Sequence, residues 1–489
     1  MYRSPLPDIA VPNATIFKHV FRHVDSTAGR PAMTETDTGA TVTYGELRQM
    51  AQQVAAHLSG RGIGPGDVIS LQLPNSIAFA AGVLGITRAG AAAALIGPTL
   101  LPREADELAR VAGAAGSLTA ADIAQATASP LPNDAPLPPT PPADDLAVVP
   151  FSSGTTGLPK AVELTHAAVT ANAAQFGAAL AASGVHPGAR VAAPLPFTHI
   201  YGLNTLLLSS LAAGHHVFTA RRFNQRDFVR DHAVYGIELS FIAPPIALAL
   251  AKDPAVDPGA FATTRWMVCG AAPLDDALAR TVERRLDTTI LQGYGTTESA
   301  PVTHVGLAGR SGPGTIGYAV PNTQFRIVEL ETRRDVEPGT AGELLVRGPQ
   351  LMRGYRGDPT ATELSHDDGW LRTGDLARSL PDGSVELVDR VKEVIKYHGY
   401  QVAPAELEAL LLTHPQVADA AVAGRPRAVD GEEAPKAYVV VEKGASLSKQ
   451  ALLDWVAERV APYKKIREAE FVDAIPRNAA GKILRRQLG

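Results

Sequence analysis

The sequence holds one cysteine, Cys269, in 489 residues. An internal disulfide is therefore impossible, and so is a zinc site built on clustered cysteines. A reducing cytoplasm is the expected setting. An excess of either charge is also missing, since 45 basic residues face 50 acidic ones for a formal net charge of −5. That balance argues against a nucleic-acid binder, which needs a concentrated basic face. Long uncharged apolar runs are lacking too. The longest, 78–97, is rich in Ala and Gly and is interrupted by Arg88. It is expected as a buried helix followed by a buried strand, not as a membrane span. Residues 1–10 are polar and proline-broken, so no signal peptide is expected. What is present is apolar material: hydrophobic residues make up 45% of the chain and charged ones 19%. Disorder over most of the length is excluded. At roughly 100–200 residues per domain, two to four domains or subdomains are expected.

The pattern along the chain is strand–helix alternation. Residues 42–44 read as a short strand, and Leu47, Met50, Val54 and Leu58 then recur at helical spacing. Strands are expected at 68–73, 191–195, 216–219, 239–243 and 266–269, with helix-length segments between them. Such alternation implies a parallel sheet with helices packed on it. Residues 128–145, crowded with Pro, Ala and Asp, read as a surface linker. From about 315 to 390 the texture turns β-rich, with a hairpin turn at Pro381-Asp382-Gly383. Beyond Arg390 the pattern is that of a small α+β domain, with helices at 405–412 and 449–460 and strands at 417–422 and 437–441.

The most informative stretch is Phe151-Ser152-Ser153-Gly154-Thr155-Thr156-Gly157-Leu158-Pro159-Lys160, which follows a strand expected at 147–151. Glycines let backbone N–H groups converge on an anion. Hydroxyls donate to phosphate oxygens, and Lys160 adds a mobile positive charge. The Walker pattern is absent, because no Gly-Lys-Ser/Thr ends the loop. A flexible Ser/Gly/Thr linker has the same composition. It does not account for the strand before the loop, the Pro-Lys ending or the helix expected from His166.

This loop resembles the signature loop of the adenylate-forming superfamily of acyl-CoA synthetases, firefly luciferase and peptide-synthetase adenylation domains. Further motifs match in the family's order: Gln292-Gly293-Tyr294-Gly295-Thr296-Thr297-Glu298, Gly369-Trp370-Leu371-Arg372-Thr373-Gly374-Asp375, Asp389-Arg390-Val391-Lys392-Glu393-Val394-Ile395-Lys396 and Pro476-Arg477-Asn478-Ala479-Ala480-Gly481-Lys482. Within the superfamily the chain is most similar to 4-coumarate–CoA ligases, through Pro196-Phe197-Thr198-His199-Ile200-Tyr201-Gly202-Leu203, Gly270-Ala271-Ala272-Pro273-Leu274 and Tyr397-His398-Gly399-Tyr400-Gln401-Val402.

The resemblance implies an α/β fold. Residues 1–391 would be a large N-terminal domain of parallel sheets with packed helices and a β-rich subdomain. Residues 392–489 would be a small mobile α+β domain. The implied reaction has two halves. A carboxylate attacks the α-phosphorus of ATP to give acyl-adenylate and pyrophosphate, and the thiolate of coenzyme A then displaces AMP. Ser152, Ser153, Gly154, Thr155, Thr156, Gly157 and Lys160 would hold phosphates. Thr297 would reach the α-phosphate and Glu298 would bind Mg²⁺. Gln292, Gly293, Tyr294 and Gly295 would border the nucleotide, with Tyr294 stacked on adenine. Asp375 and Arg390 would take the ribose. Lys482 would bridge carboxylate and α-phosphate, and Lys392 would be the hinge of the small domain. Lys396 would serve the thioester half, and Gln401 would hold an AMP-side or carboxylate oxygen. His199 would orient the acid, in a pocket walled by Tyr201, Thr205, Gly270, Ala271, Gly293, Gly295 and Val302. Most of these are small or flat, so an aromatic, cinnamate- or benzoate-like acid is expected. The hydroxyls of Tyr201, Thr205 and Thr198 favour a polar ring substituent.

Arg485 and Arg486 read as a solvated basic face, and Cys269 as inert packing. Gly312-Pro313-Gly314-Thr315-Ile316-Gly317 fits Gly-x-Gly-x-x-Gly, but no strand feeds it, so a turn before a strand is expected. Thr198, Thr296, Ala161 and His398 depart from the coumarate-ligase pattern. Other acceptors stay open: a carrier-protein thiol, an amine, or an arylamine with nitrite as the activated oxyacid. So does a protein that binds nucleotide without catalysis. The expected partners are a small carboxylic acid and coenzyme A or a carrier protein, with neither nucleic acid nor membrane, in a monomer or homodimer.

Overall fold

The computed structural model describes residues 1–489 except 129–136, 153–158, 392, 394, 398, 399, 427–432, 478–480 and 489, and describes no side chain at 396, 400, 401, 426 and 486. The chain forms two compact units. One comprises 2–325 and 346–371; the other comprises Met1, 326–345 and 372–489.

The larger unit is built on two sheets. The first has nine strands in the order Tyr318–Ala319, Val302–Val305, Thr289–Gly295, Trp266–Cys269, Leu239–Ile242, Arg190–Ala192, His216–Thr219, Pro31–Glu35 and Thr41–Thr43. Its six central strands are parallel, and antiparallel strands finish both ends. The central strands Leu239–Ile242 and Trp266–Cys269 are buried at every residue, which is what a sheet covered on both faces requires. The second sheet runs Gly354–Tyr355, Lys160–Thr165, Leu146–Val149, Ala92–Leu95, Val68–Leu71 and Gly116–Leu118, with Phe151–Ser152 paired beside Lys160–Thr165. The apolar run at 78–97 resolves into helix Ile77–Arg88 and buried strand Ala92–Leu95, as its composition indicates. No described helix is long and apolar enough to cross a membrane.

Helix starts follow the local chemistry. Thr43 and Glu46 form a reciprocal capping box that begins Tyr44–Gly60. Thr165 accepts the Ala168 N–H and begins His166–Ala182 directly after a strand. Tyr201–Leu208 is a π-helix, wholly buried, continuing as Ser209–Ala212. The wider π turn places Tyr201 and Thr205 differently from α spacing, a detail that apolar periodicity does not encode. The Gly312–Gly317 stretch is a turn leading into Tyr318–Ala319, as expected.

In the smaller unit, Val385–Arg390 pairs antiparallel with part of Trp370–Ser379, setting Asp375 opposite Arg390. The hairpin Ile395–Tyr397 and Tyr400–Val402 follows. Helix Pro404–Leu412 and helix Lys449–Ala457 pack with the strands Val417–Pro426, Glu433–Val441 and Glu468–Phe471 around Leu407, Leu411, Val422, Val439, Leu452 and Val456. Each such side chain contributes roughly 1.5–3 kcal/mol on burial. The chain on either side of Lys482 packs in a second small cluster, where Ile475 and Leu488 join Ala421, Ala423 and Tyr438, with Ile483 against it.

Candidate active site

The ends of the glycine-hydroxyl loop are brought together by strand pairing, with Ser152 opposite Lys160. Ser153, Gly154, Thr155, Thr156 and Gly157 lie outside the described residues. Lys160 projects its ammonium over the ring of Tyr355, 4.7 Å from the centroid. Tyr355 stands opposite Val162 on the neighbouring strand, and its hydroxyl donates to Glu298 Oε1 at 2.8 Å. Glu298 occupies the short turn Thr297–Ser299, which is closed by the Ser299 hydroxyl: it accepts the Thr296 N–H at 3.1 Å and donates to Pro301 O at 2.5 Å. Met352 N–H donates to Glu298 O at 2.8 Å and ties the same turn to the segment that carries Tyr355. Burial, and then the Glu298 carboxylate, push the Tyr355 phenol above its ordinary value, so it is a neutral donor. No group of three or more His, Cys, Asp or Glu side chains converges as a metal cage among the described residues. A single carboxylate fits a hard cation shared with phosphate oxygens and water, which is the usual Mg²⁺ arrangement at nucleotides.

The second cluster lies at the ends of strands Trp266–Cys269 and Thr289–Gly295. Tyr201 is buried and its hydroxyl donates to Val268 O at 3.2 Å, so that hydroxyl already has a protein partner. A Cβ on Gly270 would stand 2.8 Å from the Tyr201 ring. At Gly295 a Cβ would meet Pro301 O at 1.7 Å. At Gly293 the nearest atom would be a Val268 methyl at 3.6 Å, which leaves ordinary room. Ala271 adopts a positive φ of 72°, and Val302 is buried with its backbone held by Asn172. Thr205 is 2% exposed, and its hydroxyl has no hydrogen-bond partner among the described residues. His199 Nδ1 accepts the Tyr201 N–H at 3.3 Å, and loss of surrounding water pushes the imidazole down to about 4. It is therefore neutral at pH 7, with its proton on Nε2. Gln292 is engaged structurally: its amide donates to Leu274 O and Pro313 O and accepts the Leu274 N–H. The Tyr294 ring lies 6.0 Å from that of His304. Cys269 is buried and its thiol pushed up, in keeping with inert packing.

The smaller unit holds the third cluster. Arg390 Nε meets Asp375 Oδ1 at 3.2 Å, and the Asp375 side chain is only 8% exposed. Burial, and then repulsion from Arg390, push Lys482 down to about 8, against the pull of Glu393 and Asp375. Two arginines anchor the chain on either side of this lysine. Arg477 donates to Gly481 O at 3.0 Å and to Asp419 at 2.8 Å. Arg485 forms a fork on Glu408 at 2.7 and 2.8 Å, donates to Val422 O at 2.9 Å and pairs with Glu393. The reading of Arg485 as a solvated face is thus corrected: its side chain is 17% exposed and inside an ion-pair network. Its main partner, Glu408, lies 77 residues upstream, beyond any local pattern. Arg486 has no described side chain.

Lys396 and Gln401 stand opposite each other in the hairpin Ile395–Tyr397 and Tyr400–Val402; their side chains, and all of Lys392 and His398, lie outside the described residues. The structure also brings in residues to which the sequence reading gave no part in the site, namely Tyr355, Arg477, Glu408 and Arg485. Arg477 stood inside a recognised motif and Arg485 just beyond it, and neither carries a local mark of its partner.

Comparison with known proteins agrees with this architecture. Residues 20–356 match the family of AMP-binding enzymes, and residues 406–482 match the AMP-binding enzyme C-terminal domain. The chain is 36% identical to 4-coumarate–CoA ligase 3 of Oryza sativa subsp. japonica, covering 100% of this chain and 94% of that protein. Among solved structures it is similar to ATP-bound MatB from Rhodopseudomonas palustris, at 26% identity and a TM-score of 0.88, covering 98% of both chains. It is also similar to the amide bond synthetase McbA from Marinactinospora thermotolerans, at 27% identity and a TM-score of 0.84, covering 97% of this chain and 99% of that one.

Proposed function

The chain belongs to the family of AMP-binding enzymes, and on that footing we propose that it is an AMP-forming acid–CoA ligase acting on an aromatic carboxylic acid. The observation that carries the reading is the convergence of Lys160 and Glu298 on Tyr355, with Ser152 paired opposite Lys160, in a chain similar over its whole length to coumarate–CoA ligases. Adenylation gathers negative charge on the α-phosphate and on departing pyrophosphate, so its catalysis is positioning and neutralisation.

Lys160 and the hydroxyls of 152–156 bind the outer phosphates. Glu298 holds a magnesium ion when one is bound, and that ion neutralises phosphate charge. Thr297 meets the α-phosphate, and Asp375 with Arg390 meets the ribose. The neutral His199, with its Nε2 proton, donates toward the carboxylate of the acid. Lys482 supplies its ammonium to the developing charge in the first half-reaction. A moving part that begins at Lys392 and carries Lys396 and Gln401 serves the second. The small residues Gly270, Ala271 and Gly293 leave a flat slot for a ring. A cytoplasmic setting and a small-acid partner belong to the same proposal.

The test is an acid-and-acceptor screen. Pyrophosphate release across a panel of acids is expected to favour cinnamates and benzoates over octanoate and acetate in kcat/KM. Chromatography with coenzyme A is expected to show the thioester. Octanoate preferred over every aryl acid would overturn the aromatic assignment. The likeness to an amide bond synthetase supports a second reading, in which an amine takes the acyl group. Adenylate formation with amide product and no thioester would favour it.

A further inference from the structure

We propose that Tyr355 is a positioning residue of the phosphate site, a neutral spacer that holds Lys160 on its ring face and Glu298 on its hydroxyl. This inference rests on the reading of Lys160 and Glu298 as nucleotide-binding groups.

The argument begins with two opposite charges that the fold brings to one side chain. An ammonium and a carboxylate sharing a neighbour would pair with each other unless something else held them. No ion pair links Lys160 to Glu298; each is held by Tyr355 instead. The manner of holding matters. A carboxylate partner would cancel the charge that Lys160 brings to phosphate, whereas a π face attracts the ammonium and leaves its charge and its N–H donors in place. A basic partner would likewise cancel Glu298, whereas a phenol donates one neutral hydrogen bond to one oxygen and leaves the carboxylate anionic. Tyrosine offers both devices at once, a face for a cation and a neutral hydroxyl donor for an anion.

The placement of Tyr355 is independent of either charge. Its backbone is fixed by the ladder to Val162, by Arg356 N–H donating to Ala161 O at 2.9 Å and by the Arg356–Glu163 ion pair at 2.9 Å. The Tyr355 N–H is taken by the Thr362 hydroxyl at 2.9 Å. The ring therefore stands on a rigid strand, and the two charges come to it. Ser152, at the start of the glycine-hydroxyl loop, stands opposite Lys160 on the paired strand and brings a third element beside the hub.

The test is a binding comparison that separates outer-phosphate contacts from the rest of the nucleotide. Calorimetry is run on the full chain with ATP and Mg²⁺, with ATP in chelator, and with AMP, for wild type, Tyr355→Phe and Tyr355→Leu. Phe keeps the ring and loses the hydroxyl, so Mg²⁺-ATP affinity is expected to fall about 5–20-fold, the scale of a lost hydrogen bond to a charged group. The Mg²⁺ midpoint should rise, while AMP and metal-free ATP stay within about twofold, because neither draws on Glu298. Leu removes the face as well, and metal-free ATP should then weaken about 3–10-fold through Lys160. Equal losses for AMP and ATP, or a Phe variant with unchanged Mg²⁺ dependence, would reduce Tyr355 to a space-filling residue and overturn the inference. If wild type itself fails to prefer ATP over AMP, the phosphate-site reading and the inference fall together. If wild type prefers ATP and Phe matches it in every column, the inference alone falls.

Discussion

Two lysines anchor the two compact units, and they are held in opposite ways. Lys160 starts a strand, is flanked by ladder partners, and rests on the face of one tyrosine. Lys482 sits in irregular chain between Gly481 and Ile483, partly buried, with an arginine clamped on either side of it in sequence. The first is placed by backbone geometry that would persist without the charges. The second is placed by ion pairs, and its own proton is loosened by burial and by Arg390. A cation that only needs to meet phosphate can rest on a neutral surface. A cation that must reach a reacting centre from a loop needs long-range anchors, and those anchors are charged.

The sharpest way to break the comparison is to remove Lys482. Lys482→Ala is expected to lower acid-dependent pyrophosphate release by roughly 10²–10³-fold or more, the usual scale for one group that stabilises developing charge. Conversion of supplied acyl-adenylate to thioester should survive. Pyrophosphate release at the wild-type rate would mean that the lysine contributes nothing to the first half-reaction, and the contrast between the two lysines would lose its functional sense.

Next in size is the clamp. Arg485→Met is expected to slow adenylation by about 10–100-fold, because a reacting group displaced by an ångström costs on that order. KM for ATP and for the acid should change little, since the Arg485 side chain is committed to Glu408, Glu393 and Val422 O. The variant should also melt lower. Glu408, whose carboxyl burial already pushes up, would be left unpaired, and breaking a buried pair costs about 3–5 kcal/mol. Pairing it with Glu408→Leu restores an apolar match and should recover the melting temperature without recovering the rate. Recovery of both would show that Arg485 serves stability alone.

A milder perturbation is pH. In the proposed first half-reaction Lys482 would act as an ammonium; its pKa is lowered to about 8, so the charged form prevails below that value and is lost above it. Pyrophosphate release is therefore expected to fall as pH rises through about 8, approaching tenfold per unit beyond it. Lys482→Ala should lack this limb. A limb displaced to 10 or above would place Lys482 in water-like surroundings and weaken the contrast with Lys160.

The readability of these places from sequence divides along the same line. The parallel strands at 216–219 and 266–269 and the helix from His166 stand where periodicity and capping chemistry indicate, because each is encoded within its own residues. Lys160, Glu298, Asp375 and Lys482 stood in motifs that the resemblance to the adenylate-forming superfamily marks. Tyr355 did not, because a Gly-Tyr pair on a short edge strand has no local mark; its meaning arises only when the Lys160 strand pairs beside it. Arg485 misled for the converse reason. A basic tail looks solvated until a fold sets Glu408 and Glu393 against it. The π-helix at Tyr201 was hidden as well, since apolar periodicity cannot tell a 3.6 turn from a wider one over eight residues.

The smallest effect concerns a polar group held by neither device. Tyr201, by composition a donor for the acid, gives its hydroxyl to Val268 O. Thr205, one π-helical turn on, keeps a buried hydroxyl with no partner among the described residues. A buried polar atom left so costs roughly 1–3 kcal/mol, and a ring substituent able to hydrogen-bond would remove that cost when it binds. Thr205→Val replaces the hydroxyl by a methyl of the same shape. The free enzyme is therefore expected to melt at the same temperature or slightly higher. For an acid whose ring carries a hydroxyl, kcat/KM should fall about 5–20-fold, and for the unsubstituted acid it should hold or rise. The measurement is the ratio of the two specificity constants in wild type and variant, with KM for ATP as the control. An unchanged ratio would mean that the hydroxyl meets no part of the substrate, and the preference for a polar ring substituent would have to rest on Thr198 alone.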